Sequence, residues 1–197
     1  MLKKDNTIIY TDGSARGNPG RGGFGAILIW GEKVKEIAEA YRHTTNNRME
    51  LLAVIKAISI LKTKKLPILV YTDSKYVVES VEKKWLDNWI KTDFKGGKKN
   101  KDLWTAYYEL SKDYAIKFHW VKGHATNPYN NRCDVMATEA ADTGPWQIDA
   151  LGLNVRVGVG VTLIVIIVGL EHTVDVPVTL YDVVIAGEAI TTLPVLT

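Results

Sequence analysis

The chain has 197 residues, enough for one ordinary domain or for one domain with an appendage. Its 46% apolar and 24% charged residues exclude the composition of a disordered protein. The single cysteine excludes an intramolecular disulfide and favours a cytoplasmic location, and no apolar signal segment follows the first lysines.

Charge is unevenly distributed along the chain. Residues 1–142 hold 24 Lys and Arg against 17 Asp and Glu, whereas residues 143–197 hold 1 against 5. The basic part suits a polyanionic partner, although ordinary solvated lysines would give the same count.

Three strands are predicted first. The β-branched and aromatic run at 7–11 ends at the turn signal Asp12-Gly13, so that Asp12 is expected at a strand end. Residues 26–30 and 34–41 give two more strands with a turn between them. The pattern predicts an antiparallel meander.

A buried helix and a further strand follow. Apolar residues from Met49 to Leu61 recur at helical spacing, and Asn46 or Asn47 is expected to cap this helix. Residues 67–72 form another apolar run, which ends at Asp73 before helix-compatible sequence.

Basic and aromatic residues are interleaved between 84 and 104, where two glycines interrupt any continuous helix. A helix at about 102–112, a strand at 116–121 and a polar loop at 122–130 lead to a last helix. The predicted order is β-β-β-α-β-α-α-β-α.

Four acids stand out by position: Asp12 and Asp73 at strand ends, and Glu50 and Asp134 in the first turns of helices. Such positions can converge at one sheet edge, where carboxylate oxygens suit hard divalent cations and a two-metal site. Without metal, clustered acids repel one another. Taken singly, each acid is more simply a turn, cap or helix-dipole residue, so only the combination indicates a site.

Several ordered motifs resemble bacterial type 1 ribonuclease H over about residues 1–142. They are Tyr10-Thr11-Asp12-Gly13-Ser14, Asn18-Pro19-Gly20, Gly22-Gly23-Phe24-Gly25-Ala26, Thr44-Thr45-Asn46-Asn47-Arg48-Met49-Glu50-Leu51, Tyr71-Thr72-Asp73-Ser74 and Trp120-Val121-Lys122-Gly123-His124. The resemblance implies an α/β ribonuclease H-like fold: a five-stranded mixed sheet, with three antiparallel and two parallel strands, flanked by helices.

The resemblance also implies the chemistry. The metal-binding and catalytic carboxylates would be Asp12, Glu50, Asp73 and Asp134, holding two Mg²⁺ ions for which Mn²⁺ could substitute. A metal-activated water would cut the RNA strand of an RNA–DNA hybrid, leaving 5′-phosphate and 3′-hydroxyl ends. His124, in a loop and with an ordinary pKa near ~6.5, would assist proton transfer or product release.

Substrate contacts follow from the same resemblance. Gly13, Ser14, Asn46, Glu50 and Lys75 are expected along the RNA-side groove, and Asn18, Thr45 and Asn47 beside the DNA strand. Lys75 stands where the family often has glutamine.

The segment from Trp85 to Trp104 resembles the family's basic protrusion, which grips DNA. Its candidate contacts are Trp85, Lys91, Phe94, Lys95, Lys98 and Lys99. Core positions are favoured for Trp85 and Trp104, and Phe94 is expected to be the exposed aromatic.

Residues 143–197 form a Val-rich extension without a recognised relative. Alternating apolar residues from Val155 to Ile167 favour β-structure, and the uncharged run 157–170 is shorter than the ~20 residues of a membrane helix. The extension could form a small β unit, cover the body, pair between chains or have no role in the reaction. The catalytic domain is expected to be a monomer, with tail-mediated self-association possible.

Two other functions remain open at this point. A non-catalytic module that binds RNA–DNA hybrids would keep the fold and the basic protrusion, but has no need for four mutually repelling carboxylates. A retroelement or integrase-like nuclease would share the fold and differ in substrate.

Overall fold

The computed structural model describes residues 6–62, 66–123, 126–150 and 153–155. Its strands are β1 (Thr7–Gly17), β2 (Gly20–Trp30), β3 (Lys33–Thr44), β4 (Ile68–Thr72), β5 (Ile116–Trp120), β6 (Trp146–Ala150) and β7 (Leu153–Val155). Its helices are α1 (Asn46–Ser59), α2 (Lys75–Glu82), α3 (Trp85–Lys91), α4 (Lys101–Ser111) and α5 (Pro128–Thr143).

The strands form one sheet in the order β5-β4-β1-β2-β3-β6-β7. Strands β1, β2 and β3 are antiparallel, whereas β4 and β5 run parallel to β1, which confirms the predicted five-stranded mixed sheet. The extension adds β6 parallel to β3 and β7 antiparallel to β6. Of the β-structure expected from Val155 to Ile167, residues 156–167 lie outside the described part of the chain.

Helices cover both faces of the sheet. On one face Leu51, Val54 and Ile58 of α1 pack in a core with Ile9 of β1 and Val70 of β4. On the other face α5 packs on the antiparallel strands, with Cys133 and Met136 against Ile27 and Ile29. None of the helices in the described residues combines the length and apolar character needed to cross a membrane.

Several sequence-based predictions of the elements were wrong. Strand β1 continues through Asp12-Gly13 to Gly17 because both residues stay paired with β2. Helix α1 is capped by Thr45 rather than an asparagine, since Thr45 is extended and its carbonyl accepts hydrogen bonds from the backbone N–H groups of Arg48 and Met49. A short helix, α3, also forms between the two helices expected after β4.

The helix boundaries move two of the acids. Glu50 is the fifth residue of α1, and Asp134 is the seventh of α5, so both lie in the second helical turn instead of the first. Helix α5 starts early because the Asn127 side chain caps it and Pro128 occupies its first position.

Candidate active site

Asp12 and Asp73 lie side by side where the parallel part of the sheet ends. The pairing between β1 and β4 ends with Thr11 opposite Thr72, and Asp12 and Asp73 are the residues that directly follow. Below them Tyr10 and Tyr71 stack with 5.0 Å between ring centroids. The strand register therefore sets the two carboxylates next to each other.

Two glycines let helices bring the other acids close. A Cβ on Gly13 would overlap the backbone nitrogen of Glu50, so α1 crosses β1 in contact with its backbone. On the opposite face, a Cβ on Gly25 would overlap the Cys133 carbonyl oxygen, one residue before Asp134. Because Gly25 is paired with Asp12, this close approach carries Asp134 toward Asp12.

The Glu50 carboxylate is held by two side chains. Ser74 Oγ donates a 2.5 Å hydrogen bond to Glu50 Oε2, and Asn46 Nδ2 donates one of 2.8 Å to Glu50 Oε1. Ser74 directly follows Asp73, whereas Asn46 opens α1. These bonds connect the start of α2 to α1 across the acidic cluster.

The electrostatics of the cluster are those of one buried and three partly buried acids that repel one another. Burial, then the charge of Asp73, raises the pKa of Asp12 to about 8, with Asp134 and Glu50 adding smaller effects. Burial is also the main reason that the pKa of Glu50 rises to about 7, and Asp73 raises it further. All four acids therefore contribute to one electrostatic unit.

Comparison with known proteins decides the family. A sequence profile described as RNase H matches residues 4–142. The chain is 50% identical to a ribonuclease H of Clostridium botulinum over 142 residues, which is 68% of this chain and 95% of that protein. It is 46% identical to a ribonuclease H of Chlorobium luteolum over 149 residues, 74% of this chain and all of that protein.

The chain belongs to the ribonuclease H family. Its fold is also similar to that of LC11-RNase H1, crystallised in complex with an RNA/DNA hybrid, with a TM-score of 0.55, 25% identity and coverage of 70% of this chain and 97% of that one. The predicted family and activity are thus confirmed: the chain is an endoribonuclease that hydrolyses the RNA strand of RNA–DNA hybrids.

The ribonuclease H residues expected along the substrate fall into two groups. Ser14, Thr45 and Asn46 are half-buried around the acidic cluster, and Gly13 is buried under α1. Asn18 is exposed and accepts a 3.3 Å hydrogen bond from the backbone N–H of Asn46, which joins the β1–β2 turn to the start of α1. The remaining two, Asn47 and Lys75, are exposed.

In the basic protrusion, the predictions for two aromatic residues were wrong. Phe94 is only 7% exposed, because the turn after α3 folds it against Trp89, so it is not the exposed aromatic. Trp85 is 42% exposed and therefore not a core residue, whereas Trp104 is fully buried as expected. The candidate lysines are exposed: Lys91, Lys95, Lys98 and Lys99.

Two residues beside the acids were not singled out from sequence. Ser74 is the N-cap of α2, a common role that hides its bond to Glu50. Trp120 Nε1 donates a 2.9 Å hydrogen bond to the Asp73 carbonyl. Its place at the end of a strand gave no signal of this contact. His124 lies outside the described residues.

Proposed function

We propose that Asp12, Glu50, Asp73 and Asp134 bind two divalent cations and that hydrolysis leaves 5′-phosphate and 3′-hydroxyl ends. The observation that carries this proposal is the strand register, which pairs Thr11 with Thr72 and so sets Asp12 beside Asp73. Repulsion among the acids, which together with burial raises the pKa of Asp12, makes this arrangement costly unless positive charge enters the site. In a purely structural cluster, nothing would offset the unfavourable repulsion among the four acids.

The donor set fits a hard cation in its chemistry. Each side chain offers carboxylate oxygens, the ligands that Mg²⁺ prefers and that Mn²⁺ also accepts. When bound, such ions activate a water and neutralise charge on the phosphate. In the described residues, however, no three His, Cys, Asp or Glu side chains are arranged to hold an ion.

The protein's own residues have separate roles in this proposal. Ser74 and Asn46 orient Glu50, and the exposed lysines of the protrusion bind the DNA strand. His124 would move a proton or aid product release, a role that rests on its sequence motif alone. The other proposed substrate contacts are Gly13, Ser14, Asn18, Thr45, Asn47, Lys75, Trp85, Lys91, Lys95, Lys98 and Lys99.

The organisation of the chain is also part of the proposal. Residues 1–142 would form the catalytic domain, a boundary supported by the end of the family match at residue 142. This domain would be a monomer. Residues 143–197 would be an extension, which could mediate self-association. The cytoplasmic location rests on the single cysteine and on the substrate.

Cleavage of labelled substrates tests the proposal. The full chain is expected to cut only the RNA strand of a hybrid with Mg²⁺, and not single-stranded RNA, duplex RNA or duplex DNA. Asp12→Asn should remove cleavage but retain hybrid binding. Cleavage that survives in EDTA would contradict the metal mechanism. Products that carry a 3′-phosphate would contradict the proposal that hydrolysis leaves a 3′-hydroxyl end.

A further inference from the structure

Lys75 and Trp120 form an exposed pair at the rim of the acidic cluster. Lys75 Nζ lies 5.3 Å from the centroid of the Trp120 ring, a cation–π contact. The indole is fixed in turn by its 2.9 Å hydrogen bond to the carbonyl of Asp73. The ammonium group therefore rests over an indole that is tied to the backbone of Asp73, two residues before Lys75.

Lys75 differs from the arginines on the elements that bear the other three acids. The elements bearing the other three acids each carry an arginine, and each of these makes a two-pronged ion pair: Arg16 with Asp142, Arg48 with Asp102 and Arg132 with Glu36. Within the described residues, Lys75 makes no ion pair, and its ammonium rests on an aromatic face.

We propose that Lys75, supported by Trp120, binds a phosphate of the RNA strand next to the one that is cut. The inference rests on the proposed function, which brings the RNA backbone to the acids. An RNA strand entering an acidic cluster meets repulsion, and a fixed cation at its rim offsets it. An ammonium offers donors and charge but no acceptor, so it suits a phosphate oxygen.

A matched control exists in the same chain. Lys33 Nζ also lies 5.3 Å from the ring centroid of an exposed tryptophan, Trp30, which is 49% exposed against 45% for Trp120. This pair lies at the β2–β3 turn, at the end of the sheet away from Asp12. Lys33→Gln and Lys75→Gln thus break equivalent contacts at different distances from the acids.

The first test is the salt dependence of hybrid binding, measured on the full chain carrying Asp12→Asn. One lost phosphate contact lowers the slope of log K against log salt by about 0.9, so the affinity gap between Lys75→Gln and its parent should narrow about threefold between 50 and 200 mM salt. Lys33→Gln should leave the slope unchanged, and Lys75→Arg should retain it. Equal slopes for the two glutamine variants would overturn the proposal.

A second test locates the phosphate. Single neutral methylphosphonate linkages are placed in turn along the RNA strand and the DNA strand. At one position in the RNA strand, the neutral linkage should weaken binding by the parent protein but not by Lys75→Gln, which defines a coupling between Lys75 and that phosphate. Trp120→Leu should lose part of this coupling. Coupling to a DNA linkage, or to none, would overturn the assignment.

The two proposals fail separately. The salt and linkage measurements report binding by a chain that cannot cleave, so they stand if hydrolysis follows another mechanism. Cleavage without Mg²⁺ would contradict the metal site alone, whereas a lost coupling with normal cleavage would contradict only the Lys75 subsite.

Discussion

Ser74 donates a 2.5 Å hydrogen bond to Glu50 while its hydroxyl oxygen accepts one of 3.2 Å from the backbone N–H of Val77. One buried hydroxyl therefore caps α2 and orients an acid on α1. Because Ser74 directly follows Asp73, its hydrogen bond links the backbone beside one proposed metal ligand to the side chain of another, Glu50. The first prediction separates its two roles.

Ser74→Ala should lower both stability and activity. Loss of the cap costs about 1 kcal/mol with alanine but only a few tenths with glycine. Both variants leave Glu50 with only its hydrogen bond from Asn46, and loss of one such orienting partner lowers metal affinity or activity roughly 10–100-fold. Urea unfolding and kcat are the measurements, with Ser74→Thr as the control that keeps the hydroxyl. Full activity in Ser74→Gly would show that the bond to Glu50 is dispensable.

The raised pKa values predict how the metal-free protein responds to pH. Folded Asp12 and Glu50 hold protons up to about pH 8 and pH 7, whereas in the unfolded chain they release them near pH 4. The native state thus binds more protons in this window, so the free energy of unfolding falls as pH rises from about 4 to about 8.

Asp12→Asn should therefore stabilise the metal-free protein at pH 8. The expected gain is more than about 1 kcal/mol, since each unit of pKa difference corresponds to about 1.4 kcal/mol. At pH 4 the gain should be small, because folded Asp12 is already neutral there. Urea unfolding in EDTA at several pH values measures this. An equal gain at both pH values would rule out the electrostatic cause.

Gly25→Ala should lower kcat by displacing α5 and its Asp134. The added Cβ would overlap the Cys133 carbonyl oxygen, and overpacking of this kind costs about 1–3 kcal/mol. Gly31→Ala is the control: its φ of +59° at the β2–β3 turn, away from the acids, costs about 1–2 kcal/mol through the backbone. If both variants lost kcat equally, instability rather than displacement of Asp134 would be the cause.

Removal of three protrusion lysines should flatten the salt dependence of hybrid binding. Changing Lys95, Lys98 and Lys99 together to glutamine is expected to lower the slope by up to about 2–3, since each phosphate contact contributes about 0.9. Lys33→Gln with Lys35→Gln, on exposed β3 positions, serves as the control. An unchanged slope in the triple variant would eliminate the protrusion as a phosphate-binding surface.

Trp85 and Phe94 should respond in opposite ways to alanine. Phe94 is buried, so Phe94→Ala is expected to cost about 3–5 kcal/mol of stability. Trp85→Ala should weaken hybrid binding with little change in stability, because the ring is exposed and lies 5.2 Å from Lys83 Nζ. Thermal unfolding and hybrid affinity of both variants are compared. A stable Phe94→Ala with weakened binding would reverse the assignment.

The sequence by itself determined the order of most elements and singled out the four acids now proposed as metal ligands. Strands at 7–11 and 67–72 and the helix from Asn46 follow from apolar spacing, which is a local property that burial on one face imposes. Their order, with the motifs around Asp12 and Asp73, was enough to indicate the family. Local pattern also predicted that Trp104 is buried.

Only the tertiary structure decided which side chains meet. Phe94 is buried and Trp85 exposed because α3 and the turn after it pack on the distant α4, which the local run of basic and aromatic residues does not specify. In the same way, the bond from Ser74 to Glu50 joins residues 24 positions apart. Such contacts depend on how closely elements approach, and glycines 13 and 25 set that approach through backbone contact rather than through a pattern in the sequence.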